Sequence, residues 1–200
     1  MWSKCVRNYK LEYICTNLCY NDHGDGGMKS KRNDVYLERE LHKYASMTDL
    51  LRQRKIRFEN RIIEQKVIEA NYYISRQLEV PLATKVFYLK RLRIVEGEPK
   101  SIENNYICYE YANALEKANF ENESFREVVE MCTKQKIVKS SESISIVEAN
   151  DEERKWLDLP ENEEIVLIKG TTYTEDNKPF EYFELVNIPS FYRFRSVSKG

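Results

Sequence analysis

Between Lys85 and Glu96 the chain reads KVFYLKRLRIVE. In an extended backbone Phe87, Leu89, Arg91, Arg93 and Val95 share one face, and Val86, Tyr88, Leu92 and Ile94 share the other. Both faces are apolar enough for a buried strand. Alternation or β-branched enrichment predicts further strands in RFENRIIEQKVIEA, from Lys100 to Cys108, in IVKSSESISIVEA, EEIVLIKGTTYT and PFEYFELVNI, and near FYRFRSV. Between them lie helical patterns. VYLERELHKY places Val35, Leu37, Leu41 and Tyr44 at uneven helical spacing. SMTDLLRQRK offers Ser46 or Thr48 as N-cap with Asp49 in the first turn, and NYYISRQLEV is closed by Pro81. YEYANALEKANF is a further helix. SFREVVEMCTKQK is capped by Ser124 and turns Phe125, Val128, Val129 and Cys132 inward, and NDEERKWLDL starts at an Asn150 cap with early acids. About six long strands joined mostly by hairpins and interleaved with short helices predict an α+β domain on an antiparallel sheet. The chain has no internal repeat.

The two arginines on an apolar strand face pose the chemical question. A desolvated, unpaired guanidinium costs on the order of 3–5 kcal/mol, so each needs an anion. Gly97-Glu98-Pro99 is turn chemistry; with those three residues as the loop, Arg93 lies opposite Glu103 on the same face. This leaves two readings: a structural ion pair, or a ligand pocket floored by the sheet.

Composition narrows the function classes. The chain has 200 residues, 42% hydrophobic and 32% charged, with a formal net charge of -1. That balance gives no overall electrostatic footprint for nucleic acid. No apolar run suits a membrane span or a signal peptide, and five cysteines are an odd number for a disulfide framework, so a cytoplasmic protein with reduced thiols is expected. Neither a nucleophile motif nor a phosphate loop nor H-E-x-x-H is present, so no enzyme activity and no cofactor are expected. The tyrosine-rich NYICYEY and PFEYF suit core and interface packing better than a nucleobase platform.

Residues 1–34 differ from the rest, with three cysteines and the polar run NDHGDGGMKSKRND. They read as an irregular segment ahead of a domain over residues 35–198. Cys15, Cys19 and His23 have a C-x3-C-x3-H spacing, but a fourth ligand is missing and His42 lies beyond the glycine-rich run, so no metal site is expected.

The stretches SMTDLL, KRLRIVEGEPKSIENNYI, NESFREVVE and KGTTYTEDNKPFEYFELV, with the spacing between them, resemble the UTRA ligand-sensing domain of the HutC branch of GntR-type bacterial transcription regulators over about Val35 to Phe194. The resemblance implies a chorismate-lyase-like fold that binds a small anionic metabolite such as a sugar phosphate, forms a homodimer, and controls a winged helix-turn-helix placed ahead of it. It further implies that the anion is held at the helix start around Thr48, by Arg91 and Arg93, and by Ser124, while Glu103 contacts the sugar-like part. Thr48 and Ser124 are expected as caps in any case. Two departures stand out. Asn187, Ile188, Pro189 and Ser190 replace the family's tyrosine and glycine-aspartate turn, which implies a different effector. No segment before Val35 reads as a winged helix, so DNA contact is expected only through a domain not evident here. The alternatives are a dimerisation-only partner of a complete regulator and a chorismate-lyase-like enzyme. For the dimer, a sheet with helices on one side leaves an apolar row such as Val86, Tyr88, Leu92 and Ile94, or its counterparts on the final strands, for a second copy to cover.

Overall fold

Long alternating strands need neighbours on both edges, and in the computed structural model six of them find each other in the order β2-β3-β4-β7-β6-β5. The structure describes residues 35–41, 46–121 and 123–197; Cys15, Cys19, His23 and His42 lie outside them. The sheet strands are β2 (Phe58–Glu69), β3 (Lys85–Val95), β4 (Glu98–Cys108), β5 (Ile137–Glu148), β6 (Glu164–Thr174) and β7 (Pro179–Asn187). Every pairing in this sheet is antiparallel. A separate parallel pair joins β1 (Leu37–Glu40) to β8 (Tyr192–Arg195). The helices are α1 (Met47–Gln53), α2 (Tyr72–Leu78), α3 (Tyr109–Ala112), which runs on into a 3-10 turn at Asn113–Lys117, α4 (Phe125–Thr133) and α5 (Asp151–Leu157). No helix among the described residues is long and apolar enough to cross a membrane.

Three expectations are corrected. VYLERELHKY was expected as a helix, but Leu37–Glu40 is a strand. Leu37 and Arg39 are buried and Glu38 exposed, a period of two that pairing with β8 enforces over the weak helical spacing. The β3–β4 turn is Glu96-Gly97, with φ of 50° and 83°, the doubly positive geometry of a tight hairpin, and Val95 faces Glu98. A register shift after Arg93 then sets Arg91, not Arg93, opposite Glu103, while Arg93 faces Ser101. Helices also cover both faces of the sheet. Val86 packs with Ile74 and Leu78 of α2, and Leu92 packs with Leu157 of α5, so this chain itself covers much of the row assigned to a second copy.

On the opposite face the strands carry two apolar clusters with a polar band between them. One joins Phe87, Leu89 and Ile107 to Leu115, Phe120 and Val129 under α3 and α4. The other joins Val95, Ile168 and Phe183 to Leu37, Leu51 and Phe191 under α1, β1 and β8. Along β3 the sequence from Phe87 and Leu89 through Arg91 and Arg93 to Val95 crosses from one cluster to the other. Gly170 makes this packing possible. A Cβ there would lie 2.5 Å from the Phe183 ring and 2.8 Å from the Ser141 carbonyl oxygen. Gly170→Ala should therefore lower the unfolding free energy by about 1–3 kcal/mol in urea denaturation, the usual penalty for overpacking.

Candidate functional site

The polar band on this face holds a network in which Arg91 and Arg93 share one carboxylate. Arg91 Nη2 donates to Glu103 Oε2 at 2.5 Å, and Arg93 donates from Nε and Nη2 to Glu103 Oε1 at 3.0 and 2.7 Å. The guanidinium-bearing side chains are 1% and 2% exposed, and Glu103 is buried with them. Arg93 Nη1 also donates to Thr48 Oγ1 at 3.2 Å, and Arg91 Nη1 donates to the carbonyl oxygens of Phe120 and Glu123 at 3.1 and 3.3 Å. Burial pushes the Glu103 carboxyl up, but Arg93 and Arg91 outweigh it and hold the group at about 2. Burial pulls the Arg91 guanidinium down from its ordinary value. Two guanidiniums on one carboxylate leave an excess positive charge inside the protein, where low polarisability makes it attractive to an anion.

A cavity of about 80 Å³ opens beside this network. It has room for a phosphate-sized group, whereas sites for drug-sized molecules run to about 300 Å³ or more. Its wall includes Thr48, Arg91, Arg93 and Glu103, so the structure brings together four of the five residues singled out in the sequence. Ser124 is not on the wall. It is fully buried, accepts from the Glu127 backbone N–H to cap α4, and its Oγ lies 3.3 Å from Ser46 Oγ, which is on the wall. The cap of α1 is Ser46, whose side chain accepts from the Asp49 N–H; Thr48, expected as a cap, lies inside the helix and turns its hydroxyl to Arg93.

Arg39, Asn105, Glu142, Glu181 and Tyr192 line the same cavity and were not found by sequence reasoning. Glu181 was within reach of it, because in PFEYFELVN it alternates in phase with Phe183 and Leu185, a carboxylate on an apolar face just as Arg91 is a cation on one. It accepts from Asn105 Nδ2 at 2.7 Å and Thr172 Oγ1 at 3.3 Å. Burial raises its carboxyl to about 7, against the lowering effect of those two donors. Asn105 Oδ1 and Arg91 Nε are buried with no hydrogen-bond partner among the described residues, so this wall retains both an acceptor and a donor. Asn187, where the family resemblance leads one to expect a tyrosine, donates to the carbonyl oxygens of Val166 and Leu185 instead of lining the cavity.

A family model described as "UTRA domain" matches residues 39–193. Among characterised relatives, the HTH-type transcriptional repressor NagR of Bacillus subtilis is 24% identical over 189 residues, 94% of this chain and 76% of the relative. The HTH-type transcriptional regulator GmuR of the same organism is 22% identical over 160 residues, 80% of this chain and 66% of the relative. Among solved structures, the effector domain of PhnF from Mycobacterium smegmatis superposes with a TM-score of 0.74 at 13% identity, over 82% of this chain and 100% of that one. YydK from Bacillus subtilis, a possible transcriptional regulator, gives 0.69 at 18% identity over 86% and 71%.

Two outcomes check the electrostatics. Glu103→Gln removes the anion that two buried guanidiniums share and should cost about 3–5 kcal/mol of stability, measured by chemical denaturation. Glu181 has the opposite sign. Its folded value lies above the ordinary 4.5, so its contribution is full below that value and is lost as pH rises through about 7. The melting temperature of the wild type should fall between about pH 5 and pH 8 by more than that of Glu181→Gln, which cannot ionise.

Proposed function

The chain belongs to the UTRA domain family, and we propose that it works as the effector-binding domain of a GntR-type regulator, of the HutC branch, whose cavity takes a small anionic metabolite such as a sugar phosphate. The observation that carries this reading is the pair of buried guanidiniums sharing one carboxylate at a cavity wall. Glu103 serves two arginines, so the trio carries a net positive charge beside the cavity, and guanidinium groups suit a phosphate or carboxylate. Thr48 and Ser46 supply hydroxyls at the same end, with Ser124 reaching it through the Ser46 hydroxyl behind which it is buried, and Glu181 with Asn105 supplies acceptors for the hydroxyls of the neutral part. Effector binding controls DNA through a winged-helix domain, the arrangement suggested by relatives named as HTH-type regulators. The domain is cytoplasmic and acts as a homodimer. Because α2 and α5 already pack on the Val86–Ile94 row, the second copy uses another surface.

A ligand screen tests the reading. Sugar phosphates and organic acids at millimolar concentration should raise the melting temperature, and calorimetry should find the best of them weakened by about 1.5–3 kcal/mol in Arg91→Ala or Arg93→Ala, the range for charge-assisted hydrogen bonds. No shift from any of them, or unchanged affinity in both variants, defeats the anion site. Turnover of a carboxylate would instead support the lyase-like alternative. Light scattering should give twice the chain mass.

A further inference from the structure

Arg39 reaches the cavity from outside the main sheet. It sits on β1, its side chain is buried, and its guanidinium lies 6.0 Å from the ring of Tyr192, itself part of the wall. Nη2 donates to Glu142 Oε2 at 2.5 Å, across to the edge strand β5. The cavity thus has two arginine–carboxylate arrangements, and they differ in how firmly the carboxylate is held. Glu103 is 6% exposed and accepts three hydrogen bonds from two guanidiniums, so moving it would strand both. Glu142 is 20% exposed on a strand that forms the sheet edge among the described residues; it accepts from Arg39 and from Ser140 Oγ two residues away. A carboxylate so placed can turn to water once another anion takes its place on the buried Arg39 guanidinium, which cannot be left unpaired.

We propose that Arg39 is a third anion-binding residue of this cavity, held before binding by Glu142, an internal anion that the incoming oxyanion displaces. The proposal rests on the anion-site reading and adds the residue through which the site grips β1. Arg91 and Arg93 are fixed in the sheet floor, whereas Arg39 belongs to a four-residue strand whose strand partner is β8. An anion that bridges the floor arginines and Arg39 fastens β1 to the sheet, and exchange of Glu142 for the anion occurs without adding a buried charge pair.

The test is calorimetry with inorganic phosphate at low ionic strength on wild type, R39Q, E142Q and the double variant. R39Q should bind about tenfold more weakly, the loss of one charge-assisted contact. E142Q should bind several-fold more tightly because the internal competitor is gone. In R39Q/E142Q the gain from E142Q should vanish, since Glu142 acts through Arg39. Phosphate should also slow amide exchange over Leu37–Leu41 in the wild type and in E142Q, and not in R39Q. Affinity in R39Q within about twofold of wild type, or an E142Q gain that persists without Arg39, overturns the proposal. Phosphate binding that depends on Arg91 but ignores R39Q overturns it alone, and a wild type that does not bind phosphate overturns the anion-site reading with it. If R39Q does not fold, the comparison of R39Q/E142Q with E142Q reads the same contribution with no charge left unpaired.

Discussion

One carboxylate between two guanidiniums, inside the protein, is the constraint around which the rest is arranged. Burying ions is tolerable only when nearly all their donors have acceptors close by. The surroundings supply them for every guanidinium nitrogen except Arg91 Nε: carbonyl oxygens of Phe120 and Glu123 for Arg91, the Thr48 hydroxyl for Arg93, and Glu103 for both. These partners come from three parts of the chain, so α1, the segment ahead of α4 and strand β4 all have to be in place for the charges to be satisfied. The apolar clusters to either side then have a second role besides stability. They border the band with groups of low polarity and so keep its electrostatics strong.

The two buried carboxylates illustrate how environment divides one chemistry into two behaviours. Glu103, between cations, stays ionised; Glu181, whose direct partners are the neutral donors Asn105 and Thr172, is pushed toward the acid form. They share a face and a cavity wall. The difference gives the site a permanently charged end and an end whose hydrogen-bonding character follows the pH.

Much of this was legible in the sequence because it depends on local alternation. The phase that puts Arg91 and Arg93 on one face needs nothing but the two-residue period, and the caps at Ser124 and Asn150 follow from residue type and position. What local pattern does not contain is register and long-range pairing. The shift after Arg93 exchanged the partner expected for Glu103, because GEPK admits more than one loop. Leu37–Glu40 adopts its conformation by pairing with residues some 155 positions later, and no helical or strand propensity in four residues encodes such a partner. With β1 taken for a helix, Arg39 had no reason to be placed beside Arg91. Six antiparallel strands and short helices were foreseen; helices on both faces were not, because apolar rows on a strand do not say whether a helix or another chain covers them.

The pairing of β1 with β8 has a mechanical side. Leu37 lies beside Tyr192 and Glu40 beside Arg195, with the strands running the same way. The start of β1 and the end of β8 are therefore at opposite ends of the ribbon. Tension applied between those two points loads all the rungs together in shear, instead of peeling them one after another from an end. A ribbon so short would be a weak fastener if unzipped, but under shear it yields as a unit, so a pull along β1 is met by an all-or-none joint.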